Sequence, residues 1–286
     1  MIEKTKEGLK ILKGLNNYQA LFIDSARIDD CISYLFKNNL RYIEVNSFQG
    51  YRLRDLNFLT RLENHLEGIV IPEEHYDYTL INRLHKLKSL GMVDNGKDTI
   101  DLSHFPDLES LSCDYSVRLK GLKCCKGLKD LTLTSYKSKS KDLTDLPWLE
   151  NLSVLSLLKT GITTLRGIER FEHLKELKLF SAPKLETIAS MKALSNTLEY
   201  IEIDKCKKVS DYQILGEVKA LRKIILSESG EIETLAFIKL LPSLEFISFW
   251  GTNVLDGDIS YCEGISYVGF DNKRHYTHKA EQFERR

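Results

Sequence analysis

The 286-residue chain has 42% hydrophobic and 29% charged residues, which is the composition of a soluble globular protein. Its 41 basic and 41 acidic residues give a formal net charge of zero. This balance disfavours a nucleic-acid partner, because such binders gain affinity by neutralising phosphates. The first eight residues lack the apolar core of a secretion signal, and the chain has no run of about 18 apolar residues, so we expect a cytoplasmic protein without a membrane span.

Several segments stand apart from the rest of the chain. Residues 1–17 come first, and we expect them to cap one apolar end of the fold. Apolar spacing favours helices over residues 30–37 and 78–86, with Asp29 or Asp30 capping the first. Residues 136–142 are the most polar stretch, which we interpret as a long, mobile return loop. Residues 272–286 are expected to cap the opposite end.

An apolar phrase, L-x-x-L-x-L, recurs between the two end segments at intervals of about 21 to 26 residues. It is plainest at Leu152, Leu155 and Leu157, and again at Leu174, Leu177 and Leu179. Residues 18–271 accommodate about twelve such units, a period typical of a solenoid built from stacked coils. Their first apolar positions are Tyr18, Leu40, Leu66, Leu87, Leu108, Leu128, Leu152, Leu174, Leu198, Leu221, Leu244 and Ile265.

The phrase predicts a short strand in every unit, because its apolar residues alternate with a period of two. The fourth and sixth positions should therefore face inward, and the third, fifth and seventh should face outward. A second apolar group follows each strand, as at Ile162, Leu165 and Ile168. The segments that connect the strands are too short for long helices, so we expect short helical or 3₁₀ pieces there.

These residues resemble the leucine-rich repeat family, whose signature is L-x-x-L-x-L-x-x-N-x-I, and the resemblance covers residues 18–271. The short units are similar to bacterial, internalin-like or phosphatase-regulator-like members. The resemblance implies one domain over residues 1–286, an α/β solenoid with a right-handed superhelix. It also implies a curved parallel sheet on the concave face, with short helices, 3₁₀ turns or loops on the convex face. Family members commonly bind proteins on the concave sheet.

The asparagine position of the signature is poorly kept. It is Asn95 in one unit, whereas Thr160, Cys206, Ser229 and Thr252 take its place in others. In the family, this side chain forms hydrogen bonds between neighbouring coils. The resemblance therefore implies an irregular ladder of such bonds in this chain.

Charges alternate in sign at the second position of successive strands. Neighbouring strands lie about 4.8 Å apart, so opposite charges should sit side by side as an exposed ladder of ion pairs. This ladder leaves no field of a single sign on the sheet. Its members are Arg41, Glu67, Lys88, Glu109, Lys129, Ser153, Lys175, Glu199, Arg222 and Glu245.

Outward positions become aromatic in the last units, and this is the most functional-looking feature of the sequence. Exposed aromatic side chains beside charges are typical of an interaction hot spot. Lys223 is placed for cation–π contacts with Tyr200 and Phe246. Alternatively, the aromatics merely suit strands, or the cap covers them. The predicted partner-binding residues are Glu176, Lys178, Phe180, Tyr200, Glu202, Lys223, Ile225, Phe246, Trp250 and Tyr267.

Motifs for phosphate, dinucleotide, zinc-hydrolase or serine-nucleophile chemistry are missing from the sequence. We therefore expect no catalytic residue, no cofactor and no metal. His275 and His278 have a spacing that a metal could use, but packing within the cap is the simpler interpretation. The six cysteines form no C-x-x-C pair and are expected to be free thiols.

The sequence favours a non-enzymatic scaffold that binds a protein partner on its concave face. One alternative is the recognition module of a bacterial effector, or an inhibitor or immunity-type protein. Another is an enzyme with an acid–base cluster at Glu176, Lys178, Glu202 and Lys223. No partner is named by these residues, and the chain is expected to be a monomer or a weak homodimer.

Overall fold

The computed structural model describes residues 1–14 and 18–283. Parts of the two predicted caps, at 15–17 and 284–286, lie outside the described residues. The chain divides into two compact units, Met1–Leu128 and Lys129–Arg286. Each is built from a stack of short strands joined by turns and 3₁₀ helices, so the predicted strand in each repeat is confirmed.

The first unit has one main sheet and one small two-stranded sheet. Strands β3, β4, β5, β6 and β8 pair in parallel in that order, and β7 pairs with β9 in the small sheet. Its strands are β1 Ile2–Lys4, β2 Lys10–Lys13, β3 Gln19–Phe22, β4 Tyr42–Glu44, β5 Gly68–Ile71, β6 Ser89–Met92, β7 Ile100–Asp101, β8 Ser110–Asp114 and β9 Leu119–Lys120. Its 3₁₀ helices are Ser25–Arg27, Ser47–Gln49, Asn57–Arg61, Ile81–Arg83, Leu102–His104 and Leu122–Cys124.

The N-terminal segment extends the main sheet rather than lying across it. Strands β1 and β2 form an antiparallel hairpin, and β2 pairs antiparallel with β3. Leu9 and Ile11 are buried, so the hairpin covers part of the apolar interior at this end of the unit. The described part of residues 1–17 therefore adds two antiparallel strands to the edge of the main sheet.

The first predicted helix exists, but its predicted cap is wrong. Helix α1 spans Ile28–Lys37 and buries Cys31, Ile32 and Leu35 against the unit's interior. Asp29 and Asp30 lie in its first turn, and its N-cap makes no side-chain hydrogen bond. The carboxylate that caps this region is Asp24, which accepts from the Ala26 N–H of the preceding 3₁₀ turn at 3.0 Å.

The second predicted helix, over residues 78–86, is wrong, because only Ile81–Arg83 is helical and it is a 3₁₀ turn. The buried side chains here are Tyr78, Ile81, Leu84 and Leu87. Their spacing of three is that of a 3₁₀ helix, in which every third side chain lies on the same side. The Tyr78 hydroxyl donates to the Glu73 carbonyl at 2.8 Å, which fixes the ring in the interior.

The second unit contains one parallel sheet in which the strands pair in chain order. Its strands are β10 Asp130–Thr134, β11 Val154–Leu158, β12 Glu176–Phe180, β13 Tyr200–Asp204, β14 Lys223–Ser227, β15 Phe246–Ser248 and β16 Tyr267–Gly269. Its 3₁₀ helices are Ile168–Arg170, Ala189–Leu194, Tyr212–Glu217, Ala236–Leu240, Ser260–Cys262 and Ala280–Gln282. The order follows from the repeat, because each coil contributes one strand beside the last.

The apolar positions of the phrase form the core of the second unit. In β12, for example, Leu177 and Leu179 are fully buried, while Glu176, Lys178 and Phe180 face outward. The second apolar group of each coil is buried as well, including Ile162, Leu165 and Ile168. Truncating one such leucine to alanine typically costs about 2–5 kcal/mol, so these positions are committed to stability.

The polar stretch 136–142 is not the loosely held loop expected from its composition. Tyr136 is fully buried, and its hydroxyl donates to the Asp142 carbonyl at 3.1 Å. Asp142 is 3% exposed, and its carboxylate accepts from the Thr144 N–H and from the Arg166 guanidinium. Although burial raises the pKa of Asp142, hydrogen bonds from Ser140 and Thr144 hold it below its usual value. The loop is therefore folded around a buried carboxylate.

Every strand from β10 to β14 is followed by one residue in the left-handed region of backbone conformation. These residues are Ser135, Lys159, Ser181, Lys205 and Glu228, with φ between 45° and 60°. Each donates its N–H to a carbonyl of the next coil at 2.8–3.0 Å, as Lys159 does to Phe180. The same hydrogen bond to the next coil therefore holds the same turn after each strand, although the left-handed conformation costs conformational energy in a residue other than glycine.

Threonine and serine replace the asparagine ladder. The Thr160 hydroxyl donates to the Tyr136 carbonyl of the preceding coil at 3.0 Å. The Ser229 hydroxyl donates to the Ile203 carbonyl at 3.1 Å, and the Ser229 N–H donates to the Thr252 hydroxyl at 3.0 Å. Bonds between coils therefore persist without asparagine.

The described part of the C-terminal segment forms hydrogen bonds with the last coil. The Tyr276 hydroxyl accepts from the Val254 N–H at 3.0 Å, and the Thr277 hydroxyl accepts from the Ile259 N–H at 2.9 Å. All six cysteines are free, and five of them are buried. Within the two described stretches, no helix combines the length and the apolar character needed to cross a membrane.

Candidate binding surface

Outward-facing side chains of the second unit form rows that run across its strands. The register places Tyr200 beside Lys223, Lys223 beside Phe246, and Phe246 beside Tyr267. These four residues, together with Trp250, are called the aromatic patch below. Neighbouring strands lie about 4.8 Å apart, so the row from Tyr200 to Tyr267 covers about 14 Å. The sequence predicted this order, and the register confirms it.

Rings and an ammonium group alternate along the row. The Lys223 Nζ lies 4.5 Å from the centre of the Tyr200 ring and 4.9 Å from that of Phe246, which confirms the predicted cation–π contacts. The Phe246 and Tyr267 rings are stacked, with centroids 4.2 Å apart and planes 9° from parallel. A second ammonium, that of Lys178, lies 5.2 Å from the Tyr200 centroid on the other side. These contacts hold the rings in fixed orientations.

Trp250 and Tyr267 share space above a glycine. A Cβ atom on Gly269 would lie 3.0 Å from the Tyr267 ring and 3.1 Å from the Trp250 Nε1 atom. The lack of a side chain at Gly269 thus lets both rings settle over the strand. Trp250 and Tyr267 remain 46% exposed, so much of their surface faces solvent.

The charged residues next to the rings have partners of their own. The Lys178 ammonium lies 2.7 Å from the Glu176 carboxylate, and the Tyr200 hydroxyl donates to the Glu202 carboxylate. Burial raises the pKa of the Tyr200 hydroxyl, and the bond to Glu202 raises it further. The four residues of the alternative acid–base cluster are therefore engaged with one another or with the rings.

Two predicted site residues lie at the margin of the aromatic patch. Phe180 pairs in register with Asp204, so β13 and β14 separate it from Trp250. Ile225 lies between Glu202 and Ser248 and adds half-buried apolar surface below the row. Burial raises the pKa of the Asp204 carboxyl, which lies next to the Phe180 ring position.

The predicted ladder of charges is present only in part. Ion pairs join Lys88 to Glu67 at 2.8 Å, Lys175 to Glu199 at 3.6 Å, and Arg222 to Glu245 at 2.5 Å. Arg41 departs from the pattern, because its guanidinium binds the His65 carbonyl at 3.1 Å. The Arg41 guanidinium is therefore held at His65, which is itself a buried residue.

The two histidines of the H-Y-T-H segment are engaged separately. The His275 Nε2 lies 3.0 Å from the Val254 carbonyl oxygen, whereas the His278 Nε2 lies 3.2 Å from the Glu263 carboxylate. Across residues 1–14 and 18–283, no group of three or more His, Cys, Asp or Glu side chains is arranged to hold a metal ion.

Sequence reasoning missed two contributions to the surface. Lys178 was selected as a charge, but its ammonium also reaches the face of the Tyr200 ring. Gly269 was not selected, although it makes the space for Trp250 and Tyr267. An alignment of the outward rows would have pointed to both, since each lies in the row next to the aromatics.

Comparisons with known proteins agree on the architecture. An internalin from Listeria monocytogenes, inlF, matches with 18% identity and a TM-score of 0.50 over 90% of this chain and 86% of its own. The functional domain of InlJ from Listeria monocytogenes matches with 16% identity and a TM-score of 0.51 over 83% of this chain and 60% of its own. No protein-family model and no curated protein matches the sequence.

These findings define the class of the molecule. The repeated strand, the inter-coil hydrogen bonds and the structural matches identify the leucine-rich repeat fold, as the sequence predicts. The chain thus has the leucine-rich repeat fold and is similar in architecture to the internalins. The exposed sheet face that carries the aromatic patch corresponds to the concave face of this fold.

Proposed function

We propose that the chain is a protein-binding module that anchors its partner on the aromatic patch. The observation that carries the proposal is the row in which rings and ammonium groups alternate on one exposed sheet face. Solenoids present such faces as extended binding surfaces, and aromatic residues are enriched in interface hot spots. Because the rings are already oriented, a partner loses little conformational freedom of this surface when it binds.

The dimensions of the surface suit the centre of an interface. Four strands at about 4.8 Å spacing, with two outward positions on each, give an area on the order of 250 Å². A standard interface covers about 800 Å² on each partner, and its hot spot occupies the central part. The aromatic patch therefore supplies the anchor, while the surrounding charged rows supply a polar rim.

We place the activity in the cytoplasm, and the six free cysteines support this choice because secreted domains usually pair their cysteines. The enzyme alternative gains no support from the geometry, since Glu176 pairs with Lys178 and Glu202 accepts from Tyr200. An effector or inhibitor role would use the same surface, and no residue selects between these roles.

Affinity purification from the native cell, followed by mass spectrometry, tests the proposal. The bait is compared with its double variant Tyr200→Ala and Phe246→Ala, and both are checked for folding by circular dichroism. We expect the proteins enriched by the wild type to be lost from the double variant, because truncating hot-spot aromatics costs about 2 kcal/mol or more.

A matched control removes exposed apolar side chains elsewhere. Phe48 and Val117 are 84% and 78% exposed in the other unit, so Phe48→Ala with Val117→Ala should retain every captured protein. The proposal fails if the patch variant keeps the same proteins, or if the wild type enriches none. Sedimentation of the wild type at rising concentration separates self-association from binding to a different protein.

A further inference from the structure

Four successive turns of the second unit carry an excess of lysine. They follow β10, β11, β12 and β13 and span residues 135–141, 159–163, 181–186 and 205–211. Their acidic residues are Glu186 and Asp211, against eight lysines, which are called the basic rim below. The basic rim comprises Lys137, Lys139, Lys141, Lys159, Lys184, Lys205, Lys207 and Lys208.

The basic rim is poorly neutralised. All eight lysines are exposed. Lys205 lies 3.9 Å from Glu228, and Lys208 lies 3.3 Å from Glu186. The side chains of the remaining six make no ion pair or hydrogen bond within residues 1–14 and 18–283. An acidic residue, Asp145, lies near Lys139, because its carboxylate accepts a hydrogen bond from the Lys139 backbone N–H. On the sheet of the same unit, in contrast, Lys175 pairs with Glu199, Lys178 with Glu176 and Arg222 with Glu245.

The backbone beneath the basic rim is held in register. Lys159 and Lys205 are themselves left-handed turn residues, with φ of 52° and 53°. Their N–H groups donate to carbonyls of the next coil at 2.8 and 3.0 Å. The backbones of adjacent coils lie about 4.8 Å apart, within the screening distance of about 8 Å at physiological salt, so positive charges on neighbouring coils are only partly screened from one another. An acidic ligand would relieve this repulsion.

The length of the basic rim limits what can bind there. Four coils span three spacings, or about 14 Å, which an extended peptide covers with four to five residues at about 3.3 Å each. The next two turns are acidic and would repel a longer polyanion such as a nucleic acid. Their acidic residues are Glu228, Glu231, Glu233, Asp256 and Asp258.

The basic rim adjoins the sheet face of the proposed binding surface. Phe180 ends β12 and is followed directly by Ser181, and Asp204 ends β13 and is followed by Lys205. Tyr200, the first residue of the aromatic patch, begins that same strand β13. A bound chain can therefore pass from the lysines to the rings within a single strand length.

We infer that the basic rim binds a short acidic segment of the partner protein, next to the apolar residues that occupy the aromatic patch. This deepens the proposed function by assigning the chemistry of the partner: about four to five residues rich in Asp or Glu, adjacent to an apolar anchor. Charge complementarity of this kind sets orientation and speeds association.

The test uses fluorescein-labelled hexaglutamate and fluorescence anisotropy at low and high NaCl. The rim variant is Lys137→Glu, Lys159→Glu and Lys207→Glu, one change on each of three coils. The control variant makes the same change in net charge at Lys4, Lys123 and Lys192, which are exposed at other places. We expect the peptide to bind the wild type and the control alike, and to bind the rim variant at least tenfold more weakly. Raised salt should weaken binding, because the contacts are ionic.

The inference is overturned if hexaglutamate does not bind the wild type, or if the control variant loses as much affinity as the rim variant. It is also overturned if single-stranded DNA of equal charge binds more tightly than the peptide, since the rim would then serve nucleic acid. The Tyr200→Ala and Phe246→Ala variant should bind hexaglutamate normally. The rim and the aromatic patch can therefore fail independently.

Discussion

Replacing Lys223 with methionine tests whether the cation at the centre of the aromatic patch holds it together. Methionine keeps most of the apolar stem but removes the ammonium, which lies 4.5 and 4.9 Å from the two ring centres. Each cation–π contact at an exposed or half-buried site contributes about 0.5–1 kcal/mol, so we expect a loss of about 1–2 kcal/mol. Lys223→Arg should retain most of this stability, because a guanidinium also stacks on rings.

Urea unfolding measures the loss, with tryptophan fluorescence as a reporter of the last repeats. The chain has two tryptophans, so in a Trp148→Phe background the signal comes from Trp250 beside the patch. A double-mutant cycle with Phe246→Leu isolates the pair, and we expect a coupling energy of about 0.5–1 kcal/mol. A coupling energy near zero would refute the argument that Lys223 binds the Phe246 ring, even if the single variants are destabilised.

Two further predictions concern stability. Gly230→Ala should lower the free energy of unfolding by about 3 kcal/mol or more, because the added Cβ would lie 1.8 Å from the Val209 carbonyl oxygen. Gly161→Ala, whose Cβ would lie 3.9 Å from its nearest neighbour, is the control, and urea titration measures both variants. The hydrogen bond from the Arg118 guanidinium lowers the pKa of Asp94 to about 2. The ionised Asp94 should therefore contribute about 1–2 kcal/mol to the free energy of unfolding above pH 4, and this contribution should be lost as the pH falls towards 2. Asp94→Asn should remove this part of the pH dependence.

The parts of the fold that follow from the sequence are those with a strict period. Inward positions such as Leu177 and outward positions such as Tyr200 alternate, so both their burial and their row could be predicted. The contact of Lys223 with Tyr200 and Phe246 followed from the strand spacing, because parallel strands of equal register place equivalent positions side by side.

The sequence-based predictions that were wrong relied on the composition of one segment and ignored its contacts with neighbouring coils. The composition of residues 136–142 is that of a solvated loop, but Asp142 is buried, and its carboxylate accepts a hydrogen bond from Arg166 of the next coil. The short segment at Tyr78 has apolar residues, but the coil allows only a 3₁₀ turn there. The basic rim escaped notice because a net charge of zero averages lysine-rich turns with the acidic ones that follow.

Because a left-handed residue recurs at the same place in successive coils, a whole coil of the second unit could be removed or inserted between two such residues. Ser181 and Lys205 have φ of 56° and 53°, so excising residues 181–204 would rejoin the chain at matching geometry. Lys178 would then neighbour Ile225, and the excised coil would take Tyr200 with it. A lineage can thus lengthen, shorten or rephase this surface by recombination of whole coils, and the outward rows can diversify while the scaffold is inherited unchanged.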